Sequence, residues 1–107
     1  MATHGVAHIN SGEAHTEEIV LCGANLIAIQ IPGTMTNTSL NVQARFYADD
    51  DWDDLYYEGV LVSVPATVNT KQKFRPGALV GLYSVRLAGS GNEANSRAIH
   101  LQIEGLV

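Results

Sequence analysis

Apolar and polar residues alternate with a period of two along much of the chain, and the longest clean run is residues 40–47. Leu40, Val42, Ala44 and Phe46 fall on one side of an extended backbone, with Asn41, Gln43, Arg45 and Tyr47 on the other. That is the pattern of a strand with one buried face. Ile99, Leu101 and Ile103 alternate in the same way with His100, Gln102 and Glu104, and further strands follow from Val60, Val62 and Val64 and from Tyr83, Val85 and Leu87. Residues 18–22 and 26–31 read as a hairpin or sheet pair about Gly23-Ala24-Asn25. Turn chemistry separates these runs at Pro32-Gly33, residues 49–51, Glu58-Gly59, Pro76-Gly77 and residues 89–92. Helical periodicity is nearly absent. Short strands at this spacing predict an all-β fold, an antiparallel β-sandwich of the jelly-roll kind, with a small closed barrel as the alternative. Val42, Phe46, Val62, Val85, Leu101 and Ile103 are its predicted core.

Residues 1–15 depart from the pattern, with few large apolar side chains and no alternation. They are expected to form an N-terminal arm, disordered alone or ordered against a neighbouring subunit or capsid protein, with a short helix after Ser11 as the alternative, leaving 16–107 as the β-sandwich domain. A chain of 107 residues and 11.5 kDa suits one core. Its single cysteine, Cys22, cannot form an internal disulfide, and its place at the end of an apolar run predicts a small buried hydrophobe. No apolar run approaches the ~20 residues of a membrane-spanning helix, so no membrane partner is expected.

Charge narrows the partners. Six Lys and Arg against eleven Asp and Glu give a net charge of -5, the wrong sign for holding nucleic acid by phosphate neutralisation. Only 16% of residues are charged, so the surface is largely neutral polar. Such a surface loses less on desolvation and suits lasting contacts.

Candidate chemistry is sparse. Asp49, Asp50, Asp51, Asp53 and Asp54 surround Trp52 in a run that could take calcium. An EF-hand is excluded, because its sixth position is Asp54 in place of Gly and its twelfth is Val60 in place of Glu. The reading preferred is a solvated hairpin turn with Trp52 over the end of the core. Three of the four histidines, His4, His8 and His15, lie in the expected arm, apart from His100, and a flexible set makes a poor metal site. Neither Ser84 nor Ser90 stands in a nucleophile motif, and Gly89-Ser90-Gly91 leads into a strand, where a phosphate-cradling loop would lead into a helix. The expectation is no enzyme, no metal and no cofactor.

The order of features carries a resemblance. The strand ending in Ile31-Pro32, a Thr-rich loop, Leu40-Asn41-Val42-Gln43, then Ala48-Asp49-Asp50-Asp51-Trp52 and Leu55-Tyr56 resemble a β-sandwich domain of tailed-bacteriophage virion proteins. Residues 82–87, the Gly89-Ser90-Gly91 loop and residues 97–101 are similar to that family's closing pair of strands. The family usually has Gly where this chain has Asp50, and its last loop is often longer than residues 88–96. The resemblance implies a structural virion component of the head cement or decoration type, on the outer surface of the capsid and bound to the major capsid protein. A tail or baseplate accessory protein would share these features. A carbohydrate-binding module would use the same sandwich with Trp52, Tyr56 and Tyr57 as its platform.

Self-association as a dimer or trimer is expected from charge segregation. Six acids and no base lie within residues 49–58, whereas residues 71–97 hold Lys71, Lys73, Arg75, Arg86 and Arg97 against Glu93 alone. Asp49, Asp50, Asp51 and Asp53 on one side and Lys71, Lys73 and Arg75 on the other are the candidate interface.

Overall fold

A computed structural model describes residues 2–105. In chain order the strands are β1 (Ala2–Ile9), β2 (Ile19–Val20), β3 (Asn25–Gln30), β4 (Ser39–Arg45), β5 (Asp53–Asp54), β6 (Tyr56–Tyr57), β7 (Val60–Leu61), β8 (Ser63–Pro65), β9 (Lys71–Lys73), β10 (Ser84–Ala88) and β11 (Arg97–Glu104). The fold is all-β, with antiparallel sheets and no helix among the described residues. One sheet has the order β1-β11-β3-β9 and the other β2-β10-β4-β5, with β8 also paired to β4, while β6 and β7 form a separate small hairpin.

Alternation decides what each strand contributes to the core. Leu40, Val42 and Ala44 of β4, Val85 and Leu87 of β10, Leu26 and Ile29 of β3, and Ile99 and Leu101 of β11 are buried in one cluster drawn from both larger sheets. Val42, Val85 and Leu101 thus sit where the pattern put them, and Val62 and Ile103 pack against the cluster while remaining partly exposed.

Phe46 does not. It is 71% exposed, because β4 ends at Arg45 and the Asp50 carboxylate accepts a hydrogen bond from the Phe46 amide at 3.0 Å, turning the chain before a further inward position is reached. Cys22, expected to be buried, is also exposed. It takes a left-handed φ of 46° beside Gly23 at 91°, and this turn carries the chain from one sheet into the other. Consequently β2 and β3 do not form the expected hairpin; β2 pairs with β10 and β3 with β11 and β9. The two closing strands part in the same way, β10 in one sheet and β11 in the other.

The largest departure is at the N-terminus. Residues 2–9, within the expected arm, form β1 and pair with β11 from Ala2 opposite Glu104 to Ile9 opposite Arg97. Ala7 and Ile9 are 1% and 0% exposed. Of the alternate positions Thr3, Gly5, Ala7 and Ile9, only Ala7 and Ile9 are buried and only Ile9 is large, so the alternation of hydrophobicity that marks a strand is muted. At Gly5 an added Cβ would meet the Leu101 and Ile103 methyl groups at 3.7 and 3.8 Å, ordinary van der Waals distances, so the pairing does not depend on glycine there. Beyond it, residues 10–16 bind back: Gly12 N–H donates to Glu93 O at 2.9 Å, and Thr16 N–H to Leu87 O at 2.9 Å.

Candidate interaction surfaces

On β4 and β10 the residues between buried positions project to the outer face of their sheet. Arg45 lies opposite Ser84, and Gln43 lies opposite both Arg86 and Asp54. Trp52, just before β5, rests on this face with the Arg45 and Arg86 guanidinium carbons 4.9 and 4.8 Å from its ring centroid, within cation–π range. Glu18 Oε2 accepts from Arg45 Nη1 at 3.1 Å and from the buried Ser84 hydroxyl at 2.6 Å. Arg86 Nε donates to Gln43 Oε1 at 2.7 Å, and the Gln43 amide donates to Asp54 at 3.2 Å. Burial, and then the neighbouring Arg45 charge, pulls Arg86 below the ordinary arginine value. Trp52 therefore covers the outside of the five-stranded sheet and not, as expected, the end of the core.

The acidic run is the connection from β4 to β5. Asp50 is partly withdrawn into it, accepting from the Phe46 and Asp51 amides at 3.0 and 2.9 Å, while its carbonyl accepts from Arg45 Nε at 2.8 Å. Asp49, Asp51, Asp53 and Asp54 are exposed, as are Phe46 and Tyr47 at 71% and 61%. Among the described residues no three His, Cys, Asp or Glu side chains converge into a metal-binding group.

The five bases of residues 71–97 differ in how far their own chain engages them. Lys71 and Lys73 stand exposed on β9, the edge of the other sheet, and neither forms an ion pair among the described residues. Arg75 reaches Glu58 at 3.4 Å and lies 5.4 Å from the Tyr57 ring centroid. Arg86 is committed to Trp52 and Gln43, and Arg97 to Glu93. Of the seven residues named for an interface, Asp49, Asp50 and Asp51 lie in the connection before β5, Asp53 on β5, Lys71 and Lys73 on β9, and Arg75 just beyond β9 within reach of Glu58.

Two further features were not anticipated. On the outer face of the four-stranded sheet a groove of about 290 Å³ is lined by His4, His100, Lys71, Gln30, Gln102 and their neighbours. The two imidazoles stack with centroids 5.0 Å apart, and His4 Nε2 lies 2.8 Å from His100 Nδ1. The strand register that brings residues 4 and 100 together is invisible to sequence spacing.

The second feature is Glu93, whose side chain has no exposed surface. Its oxygens accept from Arg97 Nε at 2.8 Å, from the Thr36 and Asn37 amides at 2.8 and 2.9 Å, and from the Asn37 side chain. Burial alone would raise its pKa, but these hydrogen bonds outweigh it and hold the carboxyl at about 2. Asn37 also donates to Gly91 O and accepts from Gly91 N–H, and at Gly89 a Cβ would meet the Asn37 side chain at 2.3 Å. The loops 32–38 and 89–96 are thereby tied into one unit.

No protein-family model and no curated protein matches the chain. Among solved structures it is similar to the SPBc2 prophage-derived protein YomS, with a TM-score of 0.60 and 14% identity, over 96% of this chain and 94% of that one. At that identity the likeness is one of fold.

Proposed function

We propose that this chain is a non-enzymatic structural protein of a bacteriophage virion, a cement or decoration protein that binds the outer surface of the major capsid protein lattice and stabilises the head. The observation that carries the reading is the fold shared with a prophage-derived protein across nearly the whole of both chains. In this reading the two larger sheets pack face to face as a jelly-roll sandwich, which is supported by their contribution to one buried cluster. The protein acts as a dimer or trimer, its partners are itself and the capsid, and neither nucleic acid, membrane nor cofactor takes part. The net charge of -5 and four exposed aspartates within residues 49–54 favour a protein partner over packaged DNA.

Cryo-electron microscopy of particles carrying a tagged copy tests the assignment. Density at regular positions on the outside of the head is the expected result. Density confined to the tail or baseplate would move the protein to the accessory class. A glycan-binding module is less favoured, since two of its three supposed platform rings, Trp52 and Tyr57, each already carry a guanidinium.

A further inference from the structure

We propose that the free edge of β1 is a self-pairing surface, along which β1 of a second copy adds antiparallel and doubles the four-stranded sheet. The inference goes beyond the virion assignment and holds wherever the protein resides.

The direction of the backbone groups follows from what His8 does. Its N–H donates to Glu17 Oε1 at 3.1 Å and its carbonyl accepts from Glu17 N–H, both on the side away from β11. In an antiparallel strand the N–H and C=O of one residue point the same way and those of the next point oppositely. Thr3, Gly5, Ala7 and Ile9 therefore face β11, and His4 and Val6 face outward. Among the described residues, neither His4 nor Val6 takes part in a backbone hydrogen bond beyond the sheets.

Such rows of unpaired groups are normally guarded by charge, proline or brevity. The other edges of this molecule are guarded: β2 and β5 have two residues each, β8 has three and ends in Pro65, and β9 has three, two of them lysines. By contrast β1 has eight residues without a lysine, arginine, aspartate, glutamate or proline, and Glu17 covers only its far end.

The occupant that fits is a strand like itself. Antiparallel self-pairing sets His4 of one copy opposite Val6 of the other, so that both outward residues exchange hydrogen bonds. It opposes no carboxylate or ammonium to its like and covers Val6, which is 39% exposed. A charged peptide from elsewhere would find no counter-charge on β1. The twofold arrangement also closes: the doubled sheet ends on both sides in β9, where Lys71 and Lys73 oppose further addition.

The test exploits the direction of Val6. Proline is tolerated on an edge strand where the lost N–H faced solvent, so Val6→Pro should leave the β1–β11 ladder intact and remove the intermolecular bond; Val6→Lys adds a guarding charge. Sedimentation velocity from micromolar to near-millimolar protein should give a dimer for the wild type. Both variants should weaken it by about tenfold or more, with melting curves in dilute solution matching the wild type. Amide exchange supplies a reading independent of variant folding: the wild-type His4 and Val6 amides should become protected as concentration rises. A wild type that stays monomeric, dimerisation unaffected by both substitutions, or exchange at His4 and Val6 indifferent to concentration would each overturn the proposal.

Discussion

Glu93 is the acid with the most to lose on protonation. Its folded pKa of about 2 lies below the ordinary 4.5, so the stability it contributes is fully present above the unfolded pKa and is lost as pH falls from about 4.5 towards 2. A shift of this size corresponds to roughly 3 kcal/mol, a large share of the ~5 to 15 kcal/mol typical of a domain. Urea titrations from pH 6 to pH 2 should find this part of the acid loss missing in Glu93→Gln, which also starts less stable, since it leaves the nearly buried Arg97 without its carboxylate. Equal acid slopes in the two proteins would place the sensitivity elsewhere. In the sequence Glu93 is one acid in a polar loop. Its spacing of four from Arg97 was available as a local signal, but Thr36 and Asn37 lie more than fifty positions away, and no pattern in the chain couples them. The same is true of Gly89, whose missing Cβ makes room for Asn37.

Strands with large inward residues were legible, and strands whose inward residues are small were not. β4, β10 and β11 follow the alternation of Leu, Val and Ile. β1 buries only Ala7 and Ile9, so its eight-residue ladder with β11 leaves little hydrophobic signal in its own sequence. Where alternation failed in the other direction, at Phe46, a turn had intervened. Paired substitutions separate the two cases. Ile9→Ala, within the stretch read as an arm, removes a side chain with 0% exposure and should cost about 2 to 5 kcal/mol. Phe46→Ala, at the position read as core, should change stability by no more than about 0.5 kcal/mol. Chemical denaturation of both variants decides it. A reversed order of effects would mean that β1 detaches in solution, as the arm reading required. Sheet membership was the least legible property, since the turn through Cys22 and Gly23 sends consecutive strands to different sheets.

Summed along the chain, the charges predict two opposed patches; in the fold the acids of residues 49–54 lie together on and beside β5, while the exposed bases Lys71, Lys73 and Arg75 follow one another along and just after β9. Arg75, Arg86 and Arg97 are each engaged by neighbours in their own molecule, which leaves Lys71 and Lys73 at the far edge of the four-stranded sheet. A protein so arranged presents a concentrated negative turn with two exposed aromatic rings, Phe46 and Tyr47, beside it. Charge of this kind speeds and orients an encounter more than it strengthens the final contact, and the rings supply desolvated area once contact is made. The proposed capsid partner should therefore meet the turn with a basic surface. Reversing Asp49, Asp51 and Asp53 to Lys, and sparing Asp50 because it closes the turn on the Phe46 and Asp51 amides, should slow binding to undecorated heads at low ionic strength. The difference from wild type should shrink as the Debye length falls from ~30 Å at about 0.01 M to ~3 Å at about 1 M salt. Phe46→Ala should instead raise the dissociation rate at every salt concentration. Identical association rates for the reversed and wild-type proteins in low salt would remove the acidic turn from the contact.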